Sequence, residues 1–591
     1  MARTARMGGQ AMVWLVGYCA VLTAAICRPL AAPGYLLVRD AVSTPRSHVT
    51  DSVLGLGDMA PRAVPQDWFL ALTSAVIDGG VMVRLLLVAA LLLAGVGYGR
   101  MALQLVPGCG LPGALVAATI GIWNPFVSER LLQGQWSLLL GYAMLGWVVV
   151  ATHDLSRRFS YRTVIQLGSA FAVAGLTPTG ALLAIVMAAA TLHTRDRRAW
   201  WGTAGVAVIA TLPWLVAAAF GSGGATSDPG GAQAFAARAE SGLSTIGSVA
   251  GLGGIWNSEA VPQTRNWAWA AVATIALLSV VVAGLPALWR RRRIILYRRL
   301  FYLTVAVLLL IAMAATGAGL AVMRVGISHV PGFGLLRDGQ KWVALVVPFY
   351  TLAAAAGIRA VSRYLPAGFA AVAAIVLVIA PLPDLVTTGP GTVGAALQPV
   401  HYPSDFTAVA AQIPSGTGDV LVLPDGMLRR YAFAHGQVTL DPLPRMLRAD
   451  VLQSGGLLID GRVVDTTTGR GAQAQQALAT WAAPHELAQL GVGWVIVESG
   501  TPMSDPQSAL LQQLPQQYAG PALTVYRVPD PAIFRAPTYA RILAWAAHCA
   551  WLLLALSGPV LASARRILAP RRRSRGGRSP SPRAGRGRRH R

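Results

Sequence analysis

The sequence predicts an α-helical protein that crosses a membrane many times and carries one small α/β domain near its C-terminal end. Three observations predict this. Of 591 residues, 54% are hydrophobic and 12% charged, with a mean hydropathy of +0.53. That is too little polar surface to clothe a soluble fold of this size. The apolar residues gather in runs close to the roughly 20 residues that span about 30 Å of hydrocarbon. The gaps between runs alternate in charge, one set holding arginine clusters and the other nearly all the acids.

About twelve runs are legible, near 11–28, 81–99, 111–123, 137–152, 163–176, 179–193, 201–220, 267–288, 300–322, 342–358, 366–387 and 538–563. The first follows Arg3 and Arg6 and is long, with no clear small-residue cleavage site behind it, so it reads as an uncleaved anchor. The organisation expected is a polytopic region over 1–387 with outer loops at 29–80 and 221–266. A soluble α/β domain over 388–537, a final span at 538–563 and a disordered, basic, cytoplasmic tail over 564–591 follow it.

Lys and Arg favour the cytoplasmic side of short loops. With Arg3 and Arg6 inside, the inner gaps hold Arg100, then Arg157, Arg158 and Arg162, then Arg195, Arg197 and Arg198, then Arg290 to Arg293 with Arg298 and Arg299, then Arg359 and Arg363. All five glutamates, Glu129, Glu240, Glu259, Glu486 and Glu498, fall outside, and only Asp154 and Asp196 among the acids fall inside. Both termini are then cytoplasmic, in a plasma membrane. The net charge of +25 in this setting reads as orientation and contact with anionic lipid, not as a nucleic-acid surface. Cys19, Cys27, Cys109 and Cys549 lie in or beside apolar runs without metal-ligand spacing, so neither a disulfide framework nor a zinc site is expected.

In the 388–537 region, Asp419-Val-Leu-Val-Leu-Pro424, Gly493-Trp-Val-Ile-Val-Glu-Ser499 and Leu523-Thr-Val-Tyr-Arg-Val528 read as strands, and 404–413, 473–490 and 506–515 as helices. Apolar strands between helical stretches suggest βαβ units. The region shows neither a glycine-rich phosphate loop nor a nucleophile elbow. Arg429-Arg430-Tyr431 and Leu440-Asp441-Pro-Leu-Pro444-Arg445 read first as ordered turns and second as a ligand edge.

Three polar motifs share the outer side. In Tyr35-Leu-Leu-Val-Arg39-Asp40, a carboxylate can take a proton from an acceptor hydroxyl or bind a divalent cation, and Arg39 can hold a phosphate. The same pair also fits an interfacial loop whose charges satisfy each other. In Trp123-Asn124-Pro125-Phe126-Val127-Ser128-Glu129-Arg130-Leu-Leu-Gln133-Gly134-Gln135-Trp136, proline breaks a helix and a dense polar turn follows. Glu129 and Arg130 there shape a cavity or clamp one another. In Val330-Pro-Gly-Phe-Gly-Leu-Leu-Arg337-Asp338-Gly339-Gln340-Lys341-Trp342, Lys341 is the single lysine among 49 Lys and Arg. A tight phosphate or carboxylate site selects a compact cation; chance retention or a pair with Asp338 are the plainer readings. Loop 221–266, with Phe235-Ala-Ala-Arg238-Ala-Glu240 and Gly251-Leu-Gly-Gly-Ile-Trp256-Asn257, is either a lid or an idle glycine-rich loop.

With these residues in view, the chain resembles the GT-C superfamily of lipid-linked sugar transferases, the large actinobacterial type in particular. The resemblance rests on the architecture of 1–387, Arg39-Asp40 in the first outer loop, the Asn-Pro-Phe and Glu-Arg of 124–130, and Leu-Arg-Asp-Gly-Gln-Lys-Trp at 336–342. Many members carry two neighbouring acids where this chain has Arg39-Asp40. The resemblance implies transfer of a sugar from a polyprenyl-phosphate donor to a cell-envelope glycan acceptor on the outer face. Asp40 would be the catalytic base or a metal ligand. Arg337 and Lys341, with Arg39, Glu129, Arg130 and Asp338 around them, would bind substrate. The metal is unknown, and a divalent cation is left open. The alternative is a non-catalytic envelope scaffold or lipid-handling protein.

Overall fold

The computed structural model describes residues 2–58, 61, 63–221, 228–454, 456–459, 462–465 and 469–568. The basic tail expected over 564–591 lies outside them from residue 569 on.

Ten of the expected apolar runs fall on one main helix each, Ala2–Ile26, Gly79–Leu105, Gly110–Ile122, Trp136–Arg157, Tyr161–Ala174, Pro178–Thr191, Arg197–Phe220, Val347–Val361, Ala367–Ile379 and Thr538–Leu568, while 267–288 is divided between Trp269–Val282 and Leu285–Trp289, and 300–322 between Ile295–Ala314 and Gly317–His329. Among the described residues, nine helical stretches are long and apolar enough to cross a membrane. Pro178–Thr191 and Ala367–Ile379 are apolar but shorter. At about 1.5 Å rise per residue, a 14-residue helix such as Tyr161–Ala174 covers only about two-thirds of a hydrocarbon core. Outward-facing apolar side chains such as Leu85, Ile275, Leu310 and Leu553 suit lipid rather than water.

Small residues set the closest helix contacts. A Cβ on Gly146 would sit 2.9 Å from the backbone carbon of Gly97, so Gly79–Leu105 and Trp136–Arg157 touch main chain to main chain there. This is how membrane helices pack when no hydrophobic gain separates helix from lipid.

At one end of the bundle sits a mixed five-stranded sheet in the order Gln516–Ala519, Leu523–Arg527, Val492–Glu498, Asp419–Leu423, Val451–Leu452. Its two faces follow the period of two along a strand. Val420 and Val422 pack with Phe406 of the helix Ser404–Gln412, while Leu421 and Leu423 pack with Leu478, Leu487 and Leu510 on the other side. Asp419–Leu423 runs parallel to both of its neighbours, but Val492–Glu498 and Leu523–Arg527 are antiparallel, so parallel βαβ pairing describes only half the sheet. The single helical stretch expected over 473–490 is two helices, Gly469–Ala479 and Pro484–Gln489. Trp481, at φ 55°, breaks them apart in a left-handed conformation that a helix cannot contain.

The sheet region is bolted to the first loop. Tyr35 and Val400 exchange backbone hydrogen bonds of 2.8 Å. The small hairpin of Leu37–Val38 and Ala41–Val42 lies beside Val438–Leu440, with Arg39 N–H donating to the Val438 carbonyl and Leu440 N–H to the Arg39 carbonyl. Arg445–Asp67 and Arg470–Asp58 ion pairs, of 3.0 and 2.7 Å, continue the seam, and Arg541 of the final helix pairs with Asp51 of the same loop at 3.0 Å.

Candidate functional site at the elbow of the bundle

Asn124-Pro125 ends one helix and starts another. Pro125 occupies the first turn of Pro125–Leu132, where its missing N–H costs nothing, and the Asn124 side chain caps the helix by accepting from Val127 N–H at 3.0 Å. The short helix is buried along its whole length. Gln133, Gly134 and Gln135 then turn the chain into Trp136–Arg157. Gly134 has φ +73°, and a Cβ there would collide with the Ala41 amide and the Val38 carbonyl. Only glycine lets the first-loop hairpin rest on this turn.

That contact joins the three motifs. Asp40 N–H donates to the Gln133 carbonyl, and Gln135 Nε2 donates to Asp40 Oδ2 at 2.9 Å. Arg130 Nη1 donates to Gln135 Oε1 at 2.8 Å and stands 3.5 Å from Asp338 Oδ2. Asp338 Oδ2 in turn pairs with Lys341 Nζ at 3.3 Å. One line of polar contacts therefore runs Asp40, Gln135, Arg130, Asp338, Lys341. Burial pushes the Asp338 carboxyl up, but Lys341 and Arg130 outweigh it and hold it below the usual aspartate range.

Glu129 flanks this line. It is fully buried and does not clamp Arg130; it accepts from Gln340 Nε2 at 2.7 Å and from Ile255 N–H at 3.3 Å. Arg130 instead lies over the Phe126 ring and joins the polar line. Arg39 faces the other way from Asp40, with Nη1 and Nη2 donating to the Leu132 and Glu259 carbonyls at 2.6 and 2.8 Å. Its φ of 45° turns the chain at this point. Arg39 also pairs with Glu259 at 3.5 Å, and Arg430 pairs with the same Glu259 at 3.1 Å. Arg337 lies 4.2 Å over the Phe235 ring, and Phe235 packs edge-on to Trp256. Segment 231–257 is thus folded against both Glu129 and the 337–341 stretch, as a cover would be.

Several buried atoms here have no hydrogen-bond partner among the described residues: Ser128 Oγ, Arg130 Nε and Nη2, and Gln340 Oε1. An unmet polar group in a dry interior costs about 1–3 kcal/mol, and more if charged. Such donors and acceptors side by side can be met by ordered water or by a polar ligand. Among the described residues, no group of three or more His, Cys, Asp or Glu is placed to hold a metal ion. A cation beside Asp40 would need oxygens from a bound substrate, and no step below is routed through one.

Reading the sequence missed Gln135 and Gln340 as links, because neutral amides give no charge signal; both stand inside the polar motifs that drew notice. It also missed Arg265, whose partner Glu240 lies 25 residues away.

The fold that emerges, a many-helix bundle with long loops and a sheet-bearing region at one end, is shared with a solved arabinofuranosyltransferase. In particular, the chain is similar to the cryo-EM structure of arabinofuranosyltransferase AftD from mycobacteria, in a mutant form, with a TM-score of 0.54 and 16% identity. The match covers 88% of this chain and 41% of that one, so the chain spans about two-fifths of that protein's length. No protein-family model matches the sequence, and no curated protein matches it.

Proposed function

We propose that the chain is a membrane glycosyltransferase that moves a sugar from a polyprenyl-phosphate donor to a cell-envelope glycan on the exoplasmic face. The observation that carries this reading is the unbroken polar line from Asp40 to Lys341, drawn from three separate motifs and left with open donors and acceptors. The shared fold with an arabinofuranosyltransferase supports the reaction class, and a furanose donor is the first to try. The alternation of basic and acidic gaps supports cytoplasmic termini and an exoplasmic site.

In this reading the acceptor hydroxyl oxygen attacks the anomeric carbon, and the bond from that carbon to the phosphate oxygen breaks. The electron pair leaves with the phosphate, and the hydroxyl proton passes to the Asp40 carboxylate. Lys341, Arg337 and Arg130 offset the charge gathering on the phosphate, in surroundings where low dielectric strengthens them. Gln135 holds the Asp40 carboxylate in place. Glu129 and Gln340 form the far wall.

Asp40→Asn and Lys341→Met, made separately, are followed by profiling envelope glycolipids and by checking membrane insertion. Loss of one glycan with the protein intact is expected in each. Unchanged glycans in both variants would overturn the enzyme reading and favour a scaffold or lipid-handling protein.

A further inference from the structure

Behind the wall formed by 253–255 lies a cavity of ≈ 190 Å³ lined by Arg238, Glu240, Ser241, Ile255 and Arg265, with Asn266 at its rim. Its floor is a buried ion pair. Arg265 Nε donates to Glu240 Oε1 at 2.7 Å, Nη2 bonds Glu240 Oε2, and both side chains are almost wholly hidden. Arg265 Nη1, equally buried, has no hydrogen-bond partner among the described residues. Arg238, Ser241 and Asn266 are exposed around the mouth.

The cavity shares a thin partition with the elbow. A Cβ on Gly253 would meet Glu240 Oε1 at 2.6 Å and Arg265 Nη2 at 3.0 Å, while the Gly253 carbonyl accepts from Gln340 at 3.4 Å. Ile255 lines the cavity, and its N–H donates to Glu129. A molecule seated here would lie one strip of backbone away from the candidate catalytic line.

The chemistry of the lining selects among ligands. A simple anion uses donors only, and the Glu240 carboxylate on the floor opposes it. A hydroxyl both donates and accepts. Arg265 Nη1 and Arg238 donate, Glu240 accepts through its remaining lone pairs, and Ser241 and Asn266 do both. Ile255 gives an apolar patch for the CH face of a ring. The volume is below the range of about 300–1,000 Å³ usual for drug-sized ligands and suits a single ring.

We propose that this cavity is a glycan subsite that seats a more distant sugar ring of the acceptor, with the 253–255 strip between it and the ring that receives the transferred sugar. The acceptor role rests on the sugar-transfer reading; the binding of a sugar ring does not. The test uses the full chain in detergent micelles. Saturation-transfer NMR is run with methyl glycosides of arabinofuranose, galactose, glucose and mannose, each in competition with inorganic phosphate. At least one glycoside is expected to bind, to resist phosphate, and to bind about tenfold more weakly in Arg238→Ala and Asn266→Ala, as loss of one strong hydrogen bond implies. Both positions are exposed, so neither change threatens folding. Arg265→Ala is avoided because it strands Glu240. In Asp40→Asn the same glycoside should bind unchanged.

No binding, binding untouched by both rim changes, or displacement by phosphate would each overturn the subsite. If Asp40→Asn abolishes transfer while no glycoside binds, the subsite is wrong and the enzyme reading stands. If the glycoside binds but Asp40→Asn leaves transfer unaffected, the cavity binds glycan and the assigned reaction is wrong.

Discussion

Two regions of this molecule bury arginine with acids, and they do so to different ends. In the sheet region, Arg429 meets Glu498 at 3.0 Å and Asp441 at 3.5 Å, the Tyr431 hydroxyl donates to Glu498 at 2.8 Å, and Leu443 N–H donates to Asp441 at 2.8 Å. Every side chain has a close partner, Arg429 Nε being held by its ion pair alone, and the acids outnumber the arginine. At the elbow, Arg130 shares Asp338 with Lys341, cations outnumber acids along that stretch, and buried donors and acceptors stay open. A closed polar cluster holds a fold together; an open one is built around something that comes and goes. Arg429 and Asp441 sit inside the closed cluster, and Leu428–Arg430 is a short strand rather than the turn its pattern suggested.

This contrast can be broken by experiment. The largest effect is expected at Asp40→Asn, where loss of a general base lowers transfer by about 10²–10⁴-fold with little change in thermal midpoint. A fall of less than about tenfold removes Asp40 from the chemistry. Arg429→Met should act on stability instead. It leaves two buried carboxylates without a cation, which costs about 3–5 kcal/mol, and limited proteolysis of the full chain should cut first within 388–537. Arg130→Met should do the reverse, cutting transfer by roughly 10²-fold while costing less stability than Arg429→Met, since Asp338 keeps Lys341. Equal losses of stability in the two variants would erase the distinction between the clusters. Gly134→Ala comes next. It imposes a left-handed backbone on alanine and drives the hairpin off the turn, at about 1–3 kcal/mol, with transfer falling as Asp40 shifts.

The smallest effect is a pH slope that belongs to the closed cluster. Burial and the neighbouring Asp441 push the Glu498 carboxyl up to about 7, and burial pushes Asp441 up as well. Burial likewise raises Asp419 to about 6 despite Arg470. A carboxyl raised on folding binds protons more tightly in the native state. Its contribution is therefore full below the ordinary carboxylate range and is lost as pH climbs towards 7. The thermal midpoint of the sheet region should fall between about pH 4.5 and 7, and Glu498→Gln should flatten the upper part of that slope. A midpoint that rises over this window would contradict the assignment.

Much of the fold was legible because it rests on long-range composition. Each apolar run became helical, since twenty apolar residues in sequence have few other outcomes, though 267–288 and 300–322 each break into two helices. The strands at 419–423, 492–498 and 523–527 were visible as short β-branched runs. The short pairings Leu428–Arg430 with Val438–Leu440, and Leu37–Val38 with Ala41–Val42, were not, because two or three residues carry no periodicity. Of the site, Asp40, Glu129, Arg130, Asp338 and Lys341 stood out as charges in apolar surroundings. Their mutual order did not, since Gln135 as the link and Glu129 turning to Gln340 depend on where three distant loops meet. The sense of the Glu240–Arg265 pair was hidden for the same reason.

The seam between the first loop and the strand Val438–Leu440 has a temporal consequence. Arg39 leaves the ribosome about 400 residues before Val438–Leu440, whose backbone fixes the hairpin that carries Asp40. At about 5–20 residues per second, the loop waits some 20–80 s for its anchor. Until that strand has emerged and docked, the hairpin that carries Asp40 lacks the backbone partners that hold it in place.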